Sequence, residues 1–158
     1  YKAQYVNQWF WPVWNPFVLM LRGEIGYGDG YNGKPMPFFK AFYAGGVGSV
    51  RGYETSPPGP RDIYGNVLGG KRKIVGNAEL FYPLLAGQQA VRVSVFADAG
   101  QIYLNGMQPN YESFRYSTGV GLAWNSPMGP LKFSYAYPIN EKPGDKIQRF
   151  QFQVGSVF

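Results

Sequence analysis

Ile147-Gln-Arg-Phe-Gln-Phe-Gln-Val-Gly-Ser-Val-Phe158 closes the chain, and its alternation decides the fold class. Gln148, Phe150, Phe152, Val154, Ser156 and Phe158 share one face; Ile147, Arg149, Gln151, Gln153, Gly155 and Val157 share the other. Period two, with one mainly apolar and one mainly polar face, describes a β-strand between two different surroundings. A run of about ten to twelve residues fits a tilted crossing of a bilayer. An aromatic strand at the chain end suits the closing strand of a membrane barrel. An edge strand of a soluble sandwich would show the same alternation.

Working outward, six more segments carry strand patterning: 2–11, 17–27, 71–82, 91–103, 112–125 and 130–138. In the second, Phe17, Leu19, Leu21, Ile25 and Tyr27 oppose Arg22 and Glu24. In the third, Ala78, Leu80 and Tyr82 oppose Asn77, Glu79 and Phe81. In the fourth, Val91, Val93, Val95, Ala97 and Ala99 oppose Arg92, Ser94, Phe96 and Asp98. Polar residues recur on the non-aromatic face through Arg115, Lys132 and Arg149. A broad aromatic-ended face against a polar one favours lipid outside and a polar lumen inside. Pro12 is expected to end the first strand. Several joints are short, and Ser126-Pro-Met-Gly129 has the composition of a tight reversal. The exception is residues 28–70, which show no clear strand; connections of that length are usually functional.

Composition agrees. With 18% aromatic and 15% charged residues, 22 Gly and 13 Pro, the chain is poor in helix formers and rich in strand and turn formers. A mean hydropathy of −0.25 suits a barrel that displays its rings while keeping a polar interior. Cysteine and histidine are both absent. Disulfides, thiolate or imidazole metal sites and Ser–His catalysis within this chain are therefore excluded. No cofactor is implied. The net charge of +6 fits anionic lipid head groups or a positive lumen, and no nucleic-acid-binding motif accompanies it. Tyr1 stands mid-pattern, so the chain is expected to be a fragment whose export signal lies upstream.

Within the long connection lies Ala44-Gly-Gly-Val-Gly-Ser-Val-Arg-Gly-Tyr53. Its glycines permit tight backbone and positive φ. Arg51 could be a solvated charge on a surface tip, or part of a phosphate cradle, although no Lys-Ser/Thr pair follows the glycines. It could instead pin the loop inside the barrel. That reading needs lumen-facing carboxylates, and alternation supplies Glu79 and Asp98. A guanidinium fork can bind both.

Val50-Arg51-Gly52-Tyr53 resembles the VRG(F/Y) signature of the superfamily of outer-membrane barrels that includes the two-partner-secretion transporters and the BamA family. Phe96-Ala-Asp98-Ala-Gly100 resembles the FxDxG strand motif of that superfamily, and Asn77-Ala-Glu79-Leu its preceding strand. Residues 126–138 and 148–155 resemble the last two strands of the BamA family. The resemblance runs from Phe17 to the end. It implies an all-β, transmembrane antiparallel β-barrel of about sixteen strands, of which 1–158 would hold the C-terminal seven or so. The 28–70 loop would dock in the lumen, with POTRA repeats and the N-terminal strands lying outside this chain.

It further implies that Val50, Arg51, Gly52 and Tyr53 dock against Glu79 and Asp98. A lateral gate would be bounded by Arg149, Phe150, Gln151, Phe152, Gln153, Val154, Gly155 and Phe158, with Gly155 a kink point. The implied role is non-enzymatic insertion of β-barrel proteins into the bacterial outer membrane. The implied partners are unfolded outer-membrane protein clients, lipoproteins of the assembly complex, outer-membrane lipid and lipopolysaccharide. A transporter of the same superfamily, exporting a secreted protein, is the alternative. Residues 57–60, Pro-Pro-Gly-Pro, are expected to be stiff and extended.

Overall fold

The computed structural model describes residues 1–32, 34, 36–37, 40–54, 63–64, 69–86, 90–103 and 114–155. The elements in chain order are β1 (Lys2–Trp14), β2 (Phe17–Gly28), β3 (Gly52–Tyr53), β4 (Arg72–Leu85), β5 (Val91–Tyr103), β6 (Arg115–Ser126), β7 (Gly129–Pro138), β8 (Ile147–Gln148) and β9 (Phe150–Val154). Seven of them form one sheet in the order β1-β2-β4-β5-β6-β7-β9, and β3 pairs with β8 in a second, two-stranded sheet. All pairings are antiparallel. Among the described residues, neither β1 nor β9 has a second neighbour.

The register turns the alternation of single strands into rows that cross the whole wall. Trp11, Leu19, Leu80, Val95, Val120, Tyr135 and Phe150 lie directly opposite one another in succession. All seven are apolar, and Val95, Val120, Tyr135 and Phe150 are exposed. The facing row on the other side runs Gln8, Arg22, Asn77, Asp98, Ser117, Pro138. A slip of one residue in any strand would exchange its two rows, so both faces specify the register. The first row belongs against lipid and the second against the lumen.

Strand ends depart from the sequence expectation at two prolines. β1 continues through Pro12 to Trp14 with an irregularity between Pro12 and Trp14. β4 continues past Pro83 to Leu85 with a shift between Pro83 and Leu85. A bulge absorbs the missing N–H, and β1, at the sheet edge, has fewer ladder bonds to lose.

The terminal segment departs more. Instead of one strand it forms two, with Arg149 between them. Only β9 joins the main sheet, pairing from Leu131↔Val154 to Tyr135↔Phe150. The expected start of the fifth pattern segment at Glu112, the 57–60 segment and residues 156–158, including Phe158, lie outside the described residues.

The lumen side is not wholly polar. Ala44, Val50, Tyr53, Val75 and Ile102 form a buried cluster with Ile147 packed against it. Three segments meet there: the long loop, the wall strands β4 and β5, and β8. An exposed polar lumen face would not need this cluster. It exists because the loop returns inside and brings apolar residues of its own.

The lipid reading of the outer row predicts a large cost for charge there. Val120→Arg, at the centre of β6, should destabilise the full-length barrel by about 2–4 kcal/mol at the bilayer midplane. Lys132→Ala, on the lumen side of β7, should change stability by less than about 1 kcal/mol. Denaturant unfolding in lipid vesicles measures both; equal costs would refute the assignment of faces.

Candidate functional site: the docked loop and the terminal strand

β4 and β5 place Asn77 opposite Asp98 and Glu79 opposite Phe96, so four lumen-facing side chains form a compact square. Arg51 enters this square from the loop. Its Nε donates to Asp98 Oδ2 at 2.7 Å, its Nη2 to Asp98 Oδ1 at 2.8 Å and its Nη1 to Glu79 Oε2 at 2.8 Å. The Arg51 backbone N–H also donates to Asp98 Oδ2, at 3.0 Å. The guanidinium carbon sits 3.4 Å from the centre of the Phe96 ring. Side-chain exposure is 8% for Arg51, 12% for Glu79 and 0% for Asp98. These are buried charges, for which pairing is obligatory.

Surrounding groups satisfy the remaining lone pairs. Asn77 Nδ2 donates to Asp98 Oδ1 at 2.9 Å and to the Ser49 carbonyl at 2.6 Å. Ser94 Oγ donates to Glu79 Oε1 at 2.5 Å. Arg22 donates to Asn77 Oδ1, to the Gly48 carbonyl and to Glu24. Lys73 closes the network on Glu24 Oε1 at 2.5 Å. Arg22, Arg51 and Lys73 thus balance Glu24, Glu79 and Asp98, and the network carries no net formal charge. Low local dielectric then strengthens each contact without leaving an isolated ion.

The loop fits because the wall is cut away beneath it. A Cβ on Gly100 would lie 2.5 Å from Val50 Cγ2 of the loop; one on Gly119 would first meet the Tyr135 carbonyl oxygen of β7 and then Phe96 Cζ. Gly52, at φ +91°, lies against Ala136 and Pro138 of β7. A side chain there would be strained by its backbone as well as crowded.

The loop also reaches the chain end. Gly52 and Tyr53 pair with Gln148 and Ile147, and the Glu54 N–H donates to the Lys146 carbonyl at 2.9 Å. The Tyr53 carbonyl accepts from Gly46 N–H and from Gln151 Nε2, both at 2.9 Å. Its hydroxyl donates to the Tyr116 carbonyl at 3.3 Å. Burial pushes the Tyr53 phenol up to about 12, with the Arg115 cation opposing, so it remains a neutral donor.

Of the residues expected at this site, Val50, Arg51, Gly52, Tyr53, Glu79 and Asp98 come together. On the terminal strand, Gln151 is buried and Gln153 half-buried towards the lumen, while Phe150, Phe152 and Val154 are exposed outward. By alternation Arg149 falls on the polar face of a continuous strand. It instead interrupts the strand, and its guanidinium lies 5.6 Å from the Tyr137 ring, a residue of the outer face. The reason is competition: the Arg149 carbonyl accepts from Ala136 N–H, while the preceding residues pair with the loop. Gly155 has φ +94° and donates to the Pro130 carbonyl at 2.8 Å, so the chain turns where only glycine is comfortable.

Sequence reasoning missed Arg22, Asn77, Ser94, Phe96 and Gly100 as members of the site. The signal was present: all lie on the lumen face by alternation, and an aromatic such as Phe96 on that face, two residues from Asp98, suits a cation–π partner.

Asp98→Ala should cost the docked state about 3–5 kcal/mol, because Arg51 would stay buried with half its acceptors gone. Hydrogen exchange at the Gly46, Arg51 and Glu54 amides of the full-length protein reads this loss directly. Phe96→Leu should cost about 0.5–2 kcal/mol. Unchanged protection in Asp98→Ala would disprove the anchoring role.

A family model described as the Omp85 superfamily domain matches residues 1–158. An outer membrane protein assembly factor BamA from Neisseria meningitidis serogroup B is 42% identical across 100% of this chain and 24% of its own length. A second protein of that name, from Nitratidesulfovibrio vulgaris, is 33% identical over 85% of this chain and 17% of its own. The crystal structure of BamA from Haemophilus ducreyi lacking POTRA domains 1–3 superimposes with a TM-score of 0.86 at 31% identity, over 96% of this chain and 34% of that one. The chain thus spans about a quarter or less of the length of these curated relatives. With its two-faced antiparallel wall and these likenesses, the chain is part of a bacterial outer-membrane β-barrel and belongs to the Omp85 superfamily.

Proposed function

We propose that this chain is the C-terminal part of the barrel of an outer-membrane protein assembly factor, and that β9 forms one side of a lateral gate for client strands. The reading is carried by one observation: β9 pairs with β7 over only five residues and is also held from within by the loop, through Gln151. Unpaired N–H and C=O groups in a bilayer are costly, so any strand that pairs there is favoured. An unfolded client's β-strand can add to such an edge by β-augmentation. The driving energy is the client's own folding, and no covalent step is required. The names of the BamA relatives favour this role over export of a single secreted protein.

The docked loop has a definite part in this scheme. β3, through β8 and Gln151, holds the gate strand to the interior independently of whatever lies on its outer side. The strand can then lose its outer partner without falling away from the barrel. Lipoproteins of the assembly complex would act mainly through N-terminal repeats outside this chain.

Replacing the native copy with full-length protein carrying Arg51→Ala should lower outer-membrane porin levels several-fold relative to the intact protein. Porin abundance after depletion is the readout. If porins persist on depletion and one secreted protein is missing instead, the chain serves a dedicated transporter and the gate reading falls.

A further inference from the structure

On the outer wall, at the end of the sheet that carries the long connections, Ala3, Tyr27, Arg72 and Tyr103 form one cross-strand row. Arg72 therefore projects to the lipid-facing side, the side of Ile74, Ala78 and Leu80. Its guanidinium carbon lies 5.4 Å from the Tyr27 ring and 5.9 Å from the Tyr103 ring. The Tyr1 ring extends the platform, 6.1 Å from Tyr27. Among the described residues, Arg72 has no carboxylate partner, and its Nε is buried without a hydrogen bond.

The buried and half-buried acids among the described residues are engaged elsewhere. Asp29 pairs with Lys71, Glu24 with Arg22 and Lys73, Glu79 and Asp98 with Arg51, and Asp145 with Arg115. A cation placed at the rim of an apolar wall, between two rings and without a counter-ion among the described residues, calls for an anion from its surroundings. Barrels carry their longer loops outside, so these surroundings are the headgroup layer of the outer leaflet.

We propose that Arg72, sandwiched by Tyr27 and Tyr103, is a binding site for the phosphate group of an outer-leaflet lipid. The planar guanidinium suits a phosphate's two oxygens. The exposed Tyr27 and Tyr1 rings offer apolar surface to the rest of the lipid, at the depth where such rings sit in membranes. Free phosphate would gain only the exposed ion pair, which salt screens; a lipid phosphate arrives already held at this depth. The site rests on the membrane placement of the wall and is independent of the gate.

The test uses full-length protein in detergent micelles and native mass spectrometry. The probes are phosphatidic acid, phosphatidylcholine and inorganic phosphate. The intact protein should retain phosphatidic acid about tenfold more tightly than Arg72→Gln, the loss expected for one charge-assisted contact. Arg72→Lys should fall between them, and excess inorganic phosphate should not displace the lipid. Gel mobility without heating verifies that each variant remains a folded barrel. Should Arg72→Gln misfold, Tyr27→Leu, which keeps the cation, should weaken phosphatidic acid retention by a smaller factor. Equal retention by intact protein and folded Arg72→Gln would overturn the site. Full displacement by inorganic phosphate would overturn its lipid nature. Porin rescue by the same variants is read separately, so weak lipid binding with normal rescue leaves the assembly role standing.

Discussion

A single guanidinium, buried against two carboxylates and a ring, is the constraint on which this structure turns. Arg51 cannot be desolvated alone, and neither can Asp98. Asp98 receives three donors from Arg51, one of them the backbone N–H, and a fourth from Asn77. This geometry requires β4 and β5 to stand in one register. It requires the 50–53 segment to approach the wall at backbone distance. It requires the neighbouring cation, Arg22, to be neutralised by Glu24. Remove any of these and the others face an uncompensated charge, so the loop and the wall specify each other.

The same constraint explains the small residues of the lumen face. Gly100 and Gly119 lie in the interior of β5 and β6, where glycine weakens a strand and leaves nothing to pack. Over Gly100 the loss is made good by the loop, whose Val50 occupies the space; Gly119 instead admits the backbone of β7, at Tyr135 and Ala136, and the Phe96 ring that stacks on Arg51. The Ala44, Val50, Tyr53, Val75 and Ile102 cluster then provides apolar burial on the side of the wall that lipid does not cover. The wall is thin and the loop is its filling.

Much of this was legible in the sequence because a strand reports its two faces residue by residue. Alternation assigned the lipid rows and located Glu79 and Asp98 as lumen carboxylates before any pairing was known. The same logic failed at two prolines, where a bulge or an edge position relieves the lost N–H. It failed more instructively at Arg149. Periodicity describes one strand's preferences and is blind to competition for its backbone. Residues 147–148 alternate well enough to continue β9, yet they pair with Gly52 and Tyr53, a two-residue strand too short for any pattern to announce. Arg72 was missed for a similar reason. It opens β4 just after the long loop, and only the cross-strand register places it between Tyr27 and Tyr103.

That competition gives the terminal strand its character. A strand in a closed barrel spends its N–H and C=O groups on two neighbours of the same kind. Here the final segment divides them between the wall, through Leu131 to Tyr135, and the loop, through β3 and the Tyr53 carbonyl. Among the described residues its in-sheet pairing is therefore short, and Gly155 leaves the ladder in a conformation unsuited to extending it. Short pairing lowers the cost of parting from a neighbour, while the loop contacts, anchored through Arg51 to buried carboxylates, do not depend on that neighbour. On the proposed gate reading, stability and openness at this seam would be set by different residues: the lumen network would fix where the strand stays, and its short described pairing with β7 would set how readily its edge is released.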